Sequence, residues 1–153
     1  MILCKRLTGA EVFVYGCMQT VSRYRRMDFM AECIIIGAGG ALGAICRYLI
    51  GLAPLNPESG FPLKTFLINV IGSFVIGIVA ALAVKYHLNP RLILFLKVGI
   101  CGGFTTFSSF ALETAQLTEK GHAGIAFLYV VLSIAAGVTA VILADKMIVQ
   151  GRM

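Results

Sequence analysis

The sequence predicts an all-α integral membrane protein of four transmembrane helices, with the third helix broken in mid-span. Three observations carry that reading. Of 153 residues, 59% are hydrophobic and 13% charged, whereas soluble domains average about 45–50% apolar and about 25% charged. Four apolar runs of about 20 residues follow one another from residue 33, each long enough to cross a hydrocarbon core of ~30 Å. The third run then interrupts itself with Gly102-Gly103 and Thr105-Thr106, a poor continuous helix because glycine frees the backbone and hydroxyls compete for its carbonyls.

The same composition excludes other classes. A soluble enzyme of this size would have almost nothing polar to show water. With four prolines, seventeen glycines and no Gly-X-Y period, the chain is neither disordered nor collagenous. A net charge of +6 invites a nucleic-acid reading. However, five of the thirteen basic residues fall in the first 26 positions and the others stand at the ends of apolar runs, as membrane anchors do. No nucleic-acid partner is expected. The five cysteines form no CxxC pair and read as small apolar fillers.

Residues 1–29 mix charge with short apolar stretches and form an N-terminal extension, expected to be unstructured, ahead of a four-helix domain at 30–153. The first span, 33–52, opens IIIGAGGALGA. A dinucleotide fingerprint fails there, because Leu42 stands where Gly or Ala is required and no βαβ unit follows. Gly39 with Gly43, and Gly40 with Ala44, instead give the small-xxx-small spacing of close helix packing. Arg47 late in this span and Lys97 early in the third read as side chains snorkelling to the interface.

The second span, 65–84, carries Asn69, with Gly72 and Ser73 on the same face. An amide in hydrocarbon needs partners, so Asn69 either packs against another helix or lines a pore. The third span, 92–112, reads GICGGFTTFSSFALE across its break. Phe107, Phe110 and Glu113 recur every three residues, so a carboxyl group continues an aromatic stripe. The fourth span, 123–144, sets Tyr129 and Ser133 one turn apart, either as interhelical glue or as part of a polar path. Turn-forming residues separate the spans, and an even number of spans places both ends of the domain on one side. Four helices leave no room for a lumen within one subunit, so any pore must form between subunits.

Three motifs, GGALGAICRY, NVIGSF and GICGGFTTFSSF, resemble the CrcB family of microbial fluoride channels, also called Fluc. The resemblance spans about residues 33–145. It implies a passive, fluoride-selective channel, not an enzyme, in the inner or plasma membrane, which lowers cytoplasmic fluoride by export. It also implies an antiparallel, dual-topology homodimer with two pores at the interface and a structural sodium ion at its centre. Carried over by residue, Asn69 lines the pore and Phe107 and Phe110 meet the anion through their ring edges. Ser109, Glu113, Tyr129 and Ser133 form a polar track, and the backbone carbonyls of Gly102 and Thr105 hold sodium. The position one turn after Ser133 is Gly137 rather than a further hydroxyl residue.

Two rivals are set aside on the residues. A small four-helix dual-topology cation or drug/proton antiporter needs a central carboxylate. The first, second and fourth spans have none, and Glu113 lies late in the third. A membrane-embedded hydrolase needs a base beside its serine, and the spans hold no histidine. Orientation gives the last expectation. From Met30 onward, five basic residues on the terminal side face three on the other, a bias weak enough for insertion both ways. The extension makes it ten against three, so the functional chain is expected to start near Met27 or Met30.

Overall fold

The computed structural model describes residues 26–55, 57 and 59–150. Residues 1–25 of the expected extension, and with them its proposed removal, lie outside the described residues. By its internal contacts the chain divides into residues 1–32 and 33–153, and the second unit carries the architecture.

Every described element is helical. Helix α1 is Arg26–Gly51 and α2 is Leu63–Tyr86. The third span begins as α3, Pro90–Ile93, continues as a π-helical segment, Leu94–Cys101, and returns to α-helix in α4, Gly102–Phe104. After a break, α5 runs Phe107–Glu119 and α6 runs Ala123–Gln150. Among the described residues four stretches are long and apolar enough to cross a bilayer: Phe29–Gly51, Leu63–Tyr86, Pro90–Glu119 and Ala123–Gln150. Each extends past the apolar run that announces it at one end or both, because an established hydrogen-bond ladder adds polar residues at little cost.

Local chemistry sets the ends. His87 takes a left-handed conformation (φ 47°) and returns its N–H to Ala83 O, closing α2. Asn89 then caps α3 by accepting from Arg91 N, with Pro90 in the first turn. Gly121, at φ 80°, turns the chain between α5 and α6.

Alternate spans run parallel and touch. In α2 and α6, Ser73 lies beside Gly137 and Gly77 beside Val141 and Ala144. Near the ends of the same helices, Lys85 Nζ donates to Ile148 O at 2.9 Å. In α1 and the third span, Gly39 lies against Gly99, and Gly43 against Ile100, Gly103 and Phe104. A Cβ on Gly39 would come within 2.6 Å of Phe95 O, and one on Gly99 within 2.9 Å of Gly39 Cα. The small-residue spacing read in α1 therefore has a counterpart four residues apart in Gly99 and Gly103, and the two backbones meet directly.

This contact separates the glycines by consequence. Gly43→Ala is expected to cost about 1–3 kcal/mol through overpacking. Gly37→Ala, where a Cβ meets nothing within 4 Å, should be neutral or mildly stabilising through helix propensity. Thermal unfolding in detergent compares the two, and equal midpoints would contradict the backbone contact.

Candidate functional site

The break in the third span is two residues long. Thr105 (φ −76°, ψ 156°) and Thr106 (φ −147°, ψ 108°) are extended. Backbone released at membrane depth finds no water, so its groups must be satisfied by protein or ligand. Asn69 on α2 meets both polar groups of Thr106: Thr106 N donates to Asn69 Oδ1 at 2.8 Å, and Asn69 Nδ2 donates to Thr106 O at 3.1 Å. Gly72, one turn on, is buried against Thr105 and Phe104, where any side chain would collide. Asn69 thus makes an interhelical hydrogen-bond pair that spans the break.

The remaining side chains at the break complete a cap. Thr106 Oγ1 accepts from Ser109 N at 3.2 Å and donates to Ser109 Oγ at 3.0 Å, starting α5. Thr105 Oγ1 turns back to Cys101 O at 2.9 Å. Arg47, expected to reach for the interface, instead directs Nε to Gly103 O at 3.2 Å. A carbonyl left at the end of α4 is a strong acceptor there, and α1 passes close enough to serve it.

These bonds have a consequence for two carbonyls. In a continuous helix Gly102 O would accept from Thr106 N, and Thr105 O from Ser109 N. Both donors are committed instead to side chains, Asn69 Oδ1 and Thr106 Oγ1. Gly102 O and Thr105 O are released, which suits a hard cation that takes oxygen ligands. Among the described residues no cluster of three His, Cys, Asp or Glu side chains could hold a metal.

Beyond the break lies an aromatic run. The rings of Phe107 and Phe110 are 5.7 Å apart at 41°, and Phe110 is 5.0 Å from the Tyr129 ring. Phe61 closes edge-on against Tyr129 at 5.3 Å. Tyr129 is fully buried, whereas Phe107 is 80% exposed. The Tyr129 hydroxyl donates to Glu113 Oε2 at 2.9 Å, and Thr65 Oγ1 donates to Glu113 Oε1 at 2.7 Å. The structure therefore joins Glu113 to Tyr129 and Ser109 to Thr106, while Ser133 Oγ is buried without a hydrogen-bond partner among the described residues.

Sequence reasoning missed Thr65, although a signal was present. It precedes Asn69 by one turn on α2, so 65, 69 and 72 share a face. Arg47 offered no comparable signal, because its partner is a carbonyl that exists only through the break.

The family model described as CrcB-like protein, Camphor Resistance (CrcB), matches residues 34–144. A fluoride-specific ion channel FluC of Chlorobaculum tepidum is 45% identical over 109 residues, covering 71% of this chain and 86% of its own length. The protein of that name from Ruminiclostridium cellulolyticum is 44% identical over 124 residues, covering 79% and 95%. That from Nitrobacter winogradskyi is 46% identical over 113 residues, covering 71% and 88%.

Removing either anchor should be measurable. Asn69→Leu keeps bulk but leaves Thr106 N–H and C=O unpaired, at about 2–4 kcal/mol, and Tyr129→Phe should cost about 1–2 kcal/mol. Thermal unfolding in detergent reads both, and hydrogen exchange at Thr106 should accelerate in the Leu variant alone. Unchanged exchange there would mean that the break is held by something else.

Proposed function

Because the chain belongs to the CrcB family, we propose that this multi-pass membrane protein is a fluoride-selective channel that exports the anion passively. The observation that carries the reading is the break itself. Asn69 holds it open, and the Phe107–Phe110 pair follows it directly.

Fluoride is small and strongly hydrated, so a selective path must replace its water with compact donors. Asn69 spends one Nδ2 hydrogen on Thr106 O and keeps the other for an anion. Phenyl edges carry the positive part of the ring quadrupole, and serine hydroxyls donate. The N-terminus of α5 opens at the break, adding the positive end of a helix dipole. Ser109, Glu113, Tyr129 and Ser133 continue the path as a polar track, with Thr65 holding the Glu113 carboxyl in place.

The reading extends to a second copy. Two released carbonyls, Gly102 O and Thr105 O, are too few to hold a cation, and an antiparallel homodimer would double them. A sodium ion bound there would supply positive charge at the midplane without a titratable side chain. The exposure of Phe107 suits a ring completed by a partner at the subunit interface.

Reconstituted into liposomes, the protein should release fluoride in preference to chloride, as read with ion-selective electrodes. Phe107→Ile and Phe110→Ile keep apolar bulk without the ring edge and should slow fluoride by about an order of magnitude. Wild-type rate and selectivity in both variants would refute the assignment. The sodium site has a separate readout: replacing sodium with N-methylglucamine at constant ionic strength should lower the thermal midpoint in detergent. No shift would count against the site.

A further inference from the structure

The stripe that begins with Phe107, Phe110 and Glu113 does not stop at the carboxyl group. Glu113, Gln116, Leu117 and Lys120 stand at i, i+3, i+4 and i+7 of α5 and its C-cap, one face of the helix. That face forms one wall of a cavity of about 270 Å³, whose other wall is Pro57, Gly60, Phe61 and Pro62. Leu117 is buried against Tyr129, while Gln116 and Lys120 are exposed at the rim. The cavity therefore runs from the Thr65–Glu113–Tyr129 cluster to the turn between α5 and α6, about 10 Å along the helix.

We propose that this cavity is the aqueous mouth of the conduction path, in which Gln116 lines the entry and Lys120 draws the anion in. The inference rests on the fluoride-channel reading and goes beyond it. A carboxyl group at the inner end of an anion path repels its own substrate. Thr65 and Tyr129 direct O–H dipoles at both Glu113 oxygens, which spreads that charge, but they add no positive charge. Lys120 supplies it on the same face, where partly apolar walls focus its field. Glu119, the other acidic residue at this end of α5, does not line the cavity.

The alternative is that Lys120 merely complements the dipole at the C-terminus of α5, a role that alters stability but not ion entry. Ionic strength separates the two. Fluoride efflux from proteoliposomes is measured at about 10 mM and about 1 M impermeant salt, where screening lengths are roughly 30 Å and 3 Å. Lys120→Glu should slow efflux about threefold or more at low salt and approach wild type at high salt, the recovery also showing that the variant is folded. Lys120→Arg keeps the charge and should hold the low-salt rate. Gln116→Glu adds a second negative charge to the face and should slow efflux in the same salt-dependent way. Lys120→Glu at wild-type rate in both salts, with or without a lower melting temperature, overturns the mouth while leaving the channel reading intact. A wild-type protein that passes no fluoride overturns both.

Discussion

The paired hydrogen bonds between Asn69 and Thr106 are the interaction on which the rest of the structure depends. In water a broken helix is satisfied by solvent, but in hydrocarbon the same break would leave bare N–H and C=O groups at several kcal/mol each. A single amide side chain supplies one acceptor and one donor, matched to the one donor and one acceptor of Thr106. Because the Thr106 N–H is taken in this way, the Gly102 carbonyl loses its helical partner. The Thr106 hydroxyl then takes the Ser109 N–H, and the Thr105 carbonyl is released as well. Two carbonyls at membrane depth thus lose their helical donors through hydrogen bonds that involve no charged side chain.

Such a break needs rigid surroundings, and the glycines provide them. Gly39 and Gly43 bring α1 onto the third span at backbone distance, through Gly99, Ile100 and Gly103. This proximity lets Arg47 reach Gly103 O. On the opposite side, buried Gly72 lets Thr105 approach α2. The π-helical stretch Leu94–Cys101 lies between these supports, and π-helical turns gather at functional sites where a side-chain register must be shifted.

Much of this was legible in the sequence, for identifiable reasons. Span number follows from apolar length, which the bilayer fixes, and the position of the break follows from Gly-Gly and Thr-Thr, which disfavour a continuous helix. The packing role of Gly39 and Gly43 follows from their four-residue spacing. Three features were less visible. Arg47 looked like any arginine near a span end, because its partner is a carbonyl created by tertiary structure. Thr65 looked like a polar residue entering a helix, although its spacing from Asn69 placed it on the face that meets Glu113. The helix ends ran past the apolar runs, because the hydrogen-bond ladder is cooperative and composition does not mark where it stops.

A single copy leaves several needs unmet. Phe107, in the middle of a membrane span, is 80% exposed, while Phe110 one turn on packs against Tyr129. Ser133 buries a hydroxyl without a partner among the described residues, a loss of about 1–3 kcal/mol if nothing accepts from it. Two carbonyls stand released at the break. Lipid can cover a phenyl ring, but its tails can neither accept from a hydroxyl nor donate to a carbonyl. The polar deficits therefore ask for different partners: an acceptor for Ser133, which an anion is, and a cation for the carbonyls. A halide answers the first demand and a hard cation would answer the second. The Asn69 bonds that hold the break open take the helical donor from Gly102 O and, through the cap at Thr106, set where α5 and its Phe107–Phe110 pair begin.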